Sequence, residues 1–213
     1  MWDYVVERRD EILFSSFQHA SLVIQSVALA TLIALGVAVL VYRSARASSL
    51  ASSTTAIALT IPSFALLGLL LAWTGFGVTP SVIAVTFYAT LPILRNAVVG
   101  LSGVDRATVE SARGIGMSRS ATLLRVELPL AWPVVLAGIR VSTQMVMGIA
   151  AVAAYVLGPG LGGFIFSGLS RLGGANAVYS TLTGTIFVVV IALLVDLALV
   201  GVGRLTIPRG IRA

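Results

Sequence analysis

Five long apolar runs, at residues 19–42, 54–73, 80–100, 134–157 and 179–203, leave this chain few ways to fold. A helix needs about 20 residues to cross a hydrocarbon core of about 30 Å, whereas a membrane strand needs about ten that alternate. Each run meets the first requirement and none alternates. The sequence therefore predicts an all-α polytopic membrane protein with about five transmembrane helices. Charge content agrees, because 10% Asp, Glu, Lys and Arg is far below the roughly 25% of soluble domains. With no cysteine there is no disulfide framework and no thiolate metal site, and no metal site is expected.

The sparse charge sets an orientation. All fourteen basic residues are arginines. An odd number of spans puts the termini on opposite sides, and sorting the arginines by side gives an unequal split. Eleven (Arg43, Arg46, Arg95, Arg106, Arg113, Arg119, Arg125, Arg140, Arg204, Arg209 and Arg212) share the side of the C-terminus, against Arg8, Arg9 and Arg171 on the other. The excess marks the cytoplasmic side, so the N-terminus is expected outside and the C-terminus inside a bacterial cytoplasmic membrane. The sequence pI near 10.8 is then a topology signal and not a nucleic-acid one. Residues 1–18 form an N-terminal extracytoplasmic segment with an apolar stripe (Trp2, Val5, Val6, Leu13, Phe17) suited to an interfacial helix. Its acidic balance and the length of the run behind it argue against a signal peptide. His19, where the 19–213 transmembrane domain begins, reads as a polar interface residue.

One polar stretch stands apart. Residues 107–133, within a loop at 103–133, carry both signs of charge between two apolar runs. Asp105 is placed to cap a short helix through Glu110 and Arg113, and Gly114 and Gly116 to break it. Ser118 then caps a second helix to about Val126, and Pro129 and Pro133 allow a fresh helix to start. Two short helices at an angle make a compact knob, more structure than a plain connector needs. Glu110, Ser111 and Ala112, three residues, Gly116, nine residues, then Val126, Leu128 and Pro129 resemble the E-A-A-x3-G-x9-I-x-L-P loop of permease subunits in binding-protein-dependent ABC importers. Ser111 and Val126 are the only departures, both small. The resemblance implies ATPase-coupling roles for Asp105, Glu110, Ser111, Ala112, Arg113, Gly114, Gly116 and Met117.

Further runs are similar to the osmoprotectant branch of that family, which takes up glycine betaine, choline or carnitine. They are TIPSFALLG at 60–68, LPILRN at 91–96, ELPLAWPVVLAGIR at 127–140 and GPGLGG at 158–163, the last expected as a turn on the outer face. The resemblance implies the type I importer fold, a second permease subunit (identical or related), two ATP-binding cassette subunits and an external binding protein. ATP and Mg would bind in the ATPase, since this chain has no GxxxxGK[ST] loop and no cofactor of its own is expected. Nor does it carry a catalytic triad or an HExxH pair, so it is not expected to be an enzyme.

Inside the spans, Pro62 and Pro92 invite kinks. Gly138, Ser142, Gly148 and the alanines that follow suit close helix packing. Ser63, Tyr88, Ser142, Thr143 and Gln144 are candidates for a polar pathway, and Trp73, Phe87, Tyr88 and Tyr155 for facing a cationic solute. Asp196 is the one acid within a run. A membrane-buried charge costs at least about 2.5–3.5 kcal/mol, so it needs a partner. Helical rise puts Arg140 and Arg95 at similar depth, and Arg204 is the alternative near the same helix end. Other readings stay open: the same fold importing methionine or another amino acid, an ATP-independent transporter, or a membrane scaffold.

Overall fold

Three helices form the centre of the chain because their small residues let backbones approach. In the computed structural model, residues 1–207 are described, and every element among them is helical. The chain runs α1 (Trp2–Glu7), α2 (Arg9–Val41), α3 (Ala45–Ala58), α4 (Ser63–Thr74), α5 (Val78–Ser102), α6 (Arg106–Gly114), α7 (Arg119–Thr122), α8 (Leu128–Val152), α9 (Gly162–Leu169) and α10 (Ala177–Thr206). A π-helical turn at Leu123–Glu127 leads into α8 and a 3-10 turn at Ala153–Val156 leaves it. The centre is α2, α5 and α8. Ala30, Ala34 and Ala38, four apart on α2, are wholly buried there. On α8, a Cβ at Gly138 would lie 2.6 Å from the Cβ of Asn96 on α5, so the two helices meet over bare backbone. Lipid tails are as apolar as leucine, so this contact, and not exclusion of water, is what holds the helices together.

α2, α5, the α7–α8 rod and α10 are each long and apolar enough to cross a membrane, and α3 with α4 makes a fifth if the bent pair is counted as one span. The continuous second span expected at 54–73 is thus corrected to two helices bent by 90°. Pro62 is the cause, since it has no N–H to donate and its ring clashes with the carbonyl four residues back. Local groups satisfy the break. Thr60 Oγ1 donates to the Ile57 carbonyl at 2.7 Å, and Tyr88 Oη on α5 donates to the Ile61 carbonyl at 2.6 Å. Pro92 and Pro133, by contrast, sit inside continuous helices. Nor does α8 start afresh at Pro129 or Pro133. The Leu128 N–H reaches back five residues to Leu123, and that wide turn carries one helical rod from Arg119 past both prolines.

The other end of the molecule departs from expectation in three places. No break separates residues 1–18 from the first span, because α2 already begins at Arg9. His19 is not an interface residue but fully buried, packed against Gly160, whose φ of +113° lets the backbone pass close to the imidazole. Residues 158–161 do form a turn, but a packed one: Leu161 is wholly buried, and Gly162 and Gly163 already belong to α9.

Candidate functional site

α6 takes its shape from its two ends. At the first, the Asp105 carboxylate accepts from the backbone N–H and the hydroxyl of Thr108, at 3.2 and 3.1 Å. These bonds hold the Asp105 carboxyl below the usual carboxylate range, and an anion suits a helix N-terminus. At the second end, the Met117 N–H bonds the Ala112 carbonyl and the Gly116 N–H bonds that of Arg113, closing a Schellman turn. Its left-handed residue is Gly116, at φ +91°. Gly114 is simply the last helical residue, so of the two glycines expected to break the helix only Gly116 does so. Ser118 then caps α7 by accepting from the Ala121 N–H at 3.3 Å.

Within α6 only Ala112 is buried; Glu110, Ser111, Arg113 and Gly114 are exposed, and Met117 is half-buried. Ser111 donates to the Ala107 carbonyl at 2.8 Å, so its hydroxyl is absorbed by its own helix. The tip carries a residue that the sequence reading passed over. Ile115 is 83% exposed between two glycines, an apolar side chain held out at the end of a polar helix. Its signal was there, a lone isoleucine in a charged segment.

A groove of about 560 Å³ separates α6 from the bundle, and Arg43, Arg106, Glu110, Arg113 and Glu127 line it. At its base lies a cluster that the sequence reading also missed. Glu127, only 4% exposed, accepts from Tyr42 Oη at 2.6 Å and from Arg43 Nη2 at 3.2 Å, while Arg43 Nε donates to Tyr42 Oη at 2.6 Å. This bond set ties the end of α2 to the π turn. Its signal is an acid within the apolar run VELPL.

α6 lies at the end of the bundle where α2, α5 and α10 finish and the α7–α8 rod begins. Ser102 Oγ donates to the Tyr42 carbonyl there, and Trp132 Nε1 to Thr206 Oγ1. Arg43, Arg46, Arg106, Arg113, Arg119, Arg125 and Arg204 gather at this end, and Arg8, Arg9 and Arg171 at the other. Arg209 and Arg212 lie outside the described residues.

Asp196 finds one of its two expected partners. Arg140 grips it with Nε to Oδ1 at 2.9 Å and Nη2 to Oδ2 at 2.8 Å, a two-pronged pair joining α8 to α10. Gln144 Nε2 adds a bond at 3.1 Å. Arg95 is exposed and in no ion pair among the described residues, since its side chain leaves α5 on another face.

The pathway candidates are not brought together as one lining. Ser142 is buried, donating to the Ala89 carbonyl; Thr143 bonds its own helix at Ile139; Tyr88 serves the helix break; and Gln144 serves the ion pair. Ser63 opens α4, two residues beyond the carbonyl that Tyr88 binds. The aromatic candidates divide too. Trp73 stands 83% exposed, Phe87 and Tyr88 pack edge to face, and Tyr155 joins Phe64 and Phe166 with ring centroids 4.4 and 6.0 Å away.

Residues 26–206 match the family described as binding-protein-dependent transport system inner membrane component. The choline transport system permease protein OpuBB of Bacillus subtilis is 34% identical over 202 residues, covering 95% of this chain and 91% of that protein. The carnitine transport permease protein OpuCB of Listeria monocytogenes is 35% identical over 206 residues, covering 97% and 93%. The osmoprotectant import permease protein OsmW of Salmonella typhimurium is 33% identical over 214 residues, covering 98% of each. Among solved structures, an inward-facing form of the MetNI methionine ABC transporter superposes with a TM-score of 0.78 at 20% identity, over 92% of this chain and 95% of that one.

Proposed function

The chain belongs to the family of binding-protein-dependent transport system inner membrane components, and on that premise we propose that it is the permease subunit of an ATP-driven importer of a compatible solute such as glycine betaine, choline or carnitine. The observation that carries the coupling half of this reading is α6, a helix capped at both ends, exposed but for Ala112 and half-buried Val109, and tipped by Ile115. The solute half rests on the choline, carnitine and osmoprotectant names of relatives that match almost the whole chain. Tyr155, Phe64 and Phe166 offer rings of the kind that attract a quaternary ammonium.

In this account the arginine-rich end faces the cytoplasm and the N-terminus lies outside. Two ATPase subunits, holding ATP and Mg, grip α6 and its counterpart on a second permease subunit, identical or related. Their closure moves α6, and the α7–α8 rod that follows it carries the displacement into the bundle. The ATPase must bind the inward-facing and outward-facing permease with different affinity, because a partner that binds both equally shifts neither. An external binding protein delivers the solute at the far end.

The test is uptake of radiolabelled betaine, choline, carnitine and methionine by vesicles holding permease, ATPase and binding protein. The expected result is ATP-dependent accumulation of at least one of the first three. Accumulation of methionine alone would assign the fold to another solute, and accumulation without ATP would remove the importer reading.

A further inference from the structure

At the end of the bundle opposite α6, a pocket of about 230 Å³ opens between α1 and the turn joining α9 to α10. Its wall is almost entirely polar, drawn from Tyr4, Arg8, Ser167, Arg171, Asn176 and Ser180, and no Asp or Glu lines it. The two arginines differ in what they already hold. Arg8 lies over the Tyr4 ring at 5.2 Å and pairs with Glu11 at 3.2 Å. The Arg171 guanidinium has no ion pair and no hydrogen bond among the described residues. This matters because the surrounding acids, Asp3, Glu7, Asp10 and Glu11, all sit on α1 and the start of α2, and none reaches Arg171.

The frame that holds Arg171 is fixed. Its N–H bonds the Gly168 carbonyl at 3.2 Å, and its own carbonyl accepts from the Gly174 N–H at 2.8 Å. Gly168 has no room for a side chain, because a Cβ there would meet Thr181 Oγ1 and lie 2.5 Å from the Ala177 carbonyl, which locks α9 onto α10. Ser180 Oγ donates to the Phe164 carbonyl at 2.8 Å and sits 3.2 Å from Ser167 Oγ, closing the floor. The backbone that carries the guanidinium is thus ordered before a partner arrives, and the planar fork presents two parallel donors that match a carboxylate.

We propose that this pocket is a socket for one acidic side chain of the external binding protein. The inference rests on the importer reading above, which places this end outside, and it adds where and by what chemistry the partner is held. The size suits one carboxylate arm. The transported solute is a poor occupant: the carboxylate of betaine or carnitine could meet Arg171, but its quaternary ammonium would then lie beside a second arginine, with the one ring at the pocket already covered by Arg8. A lipid headgroup is a poor occupant as well, because the polar wall offers nothing to the acyl chains behind it. A single carboxylate paired with Arg171 steers the encounter and fixes the register of docking.

The experiment measures the affinity of the complete permease–ATPase complex, in nanodiscs of neutral phosphatidylcholine, for the purified binding protein whose addition supports uptake. Arg171→Glu is expected to weaken that affinity by about tenfold or more, the loss of one charge-assisted contact, and Arg171→Gln by less. Both variants should leave basal ATP hydrolysis at the wild-type rate and flatten the salt dependence of binding. One Asp or Glu to Arg change on the binding protein should restore Arg171→Glu. Wild-type affinity in Arg171→Glu would overturn the socket while leaving the importer reading intact. A defect seen only when anionic lipid is added would also overturn it, assigning the pocket to lipid. A wild-type complex that accumulates solute without any external protein would instead overturn the reading on which the socket rests.

Discussion

α6 and α8 are separated by only thirteen residues, yet they are built by opposite means. α8 is held from outside itself: Gly138 against Asn96, Arg140 on Asp196 and, just before its first residue, Glu127 under Tyr42 and Arg43. α6 is held by its own ends, through Asp105 and the turn at Gly116, and buries one side chain, Ala112. The difference teaches what each can do. A helix fixed by tertiary contacts carries displacement without bending. One fixed by its caps keeps its shape while leaving its surface free for a partner. Substitutions in α8 should therefore cost stability, and those in α6 should cost coupling.

The largest effect is expected at Gly138. With Asn96 already at contact distance, Gly138→Leu forces α5 and α8 apart, and overpacking of this kind costs at least about 1–3 kcal/mol. The readout is the melting temperature and monodispersity of purified permease. A variant that melts like wild type would break the contrast at its root.

Next comes Asp196→Ala, which leaves Arg140 without its carboxylate; the guanidinium, partly exposed, can turn toward the interface, which holds the cost to about 1 kcal/mol. The pair is sharpened by a second change. Arg140→Met in the same chain should recover much of the loss, because removing one partner costs more than removing both. A double variant less stable than Asp196→Ala would contradict the pairing.

The smallest effect on stability belongs to Asp105→Ala. Loss of the cap loosens the first turn of α6 locally. Global melting should not move, whereas amide hydrogens of residues 106–114 should exchange faster. A melting shift comparable to that of Gly138→Leu would mean that α6 is part of the core.

Legibility followed the same division. What depends on neighbours in sequence could be read directly: the apolar runs, the Asp105 and Ser118 caps, the αL glycine at 116. The Asp196–Arg140 pair was readable from helical rise, because both residues lie at similar depth inside their apolar runs. Rise gives depth but not azimuth, so Arg95 could not be excluded until the facing of α5 was known. Pro62 and Pro133 look alike in sequence. One breaks its span because Thr60 and Tyr88 satisfy the opened carbonyls, and the other is absorbed after a wide turn upstream. Glu127 was hidden because its partners lie 85 and 84 residues away. Ser142 and Thr143 looked like pathway residues, yet both hydroxyls are consumed by carbonyls within the bundle.

The claim that α6 is the handle through which ATP hydrolysis drives the permease is tested most directly by solute taken up per ATP hydrolysed. The complexes to compare carry wild type, Gly116→Asp, which forces a side chain onto a φ of +91°, and Ile115→Asp, which puts charge on the exposed tip. The account predicts that the ratio falls by roughly tenfold or more, the equivalent of losing about 1.4 kcal/mol of coupling, while both permeases melt as wild type. A wild-type ratio in both variants, with the ATPase still bound, would contradict it.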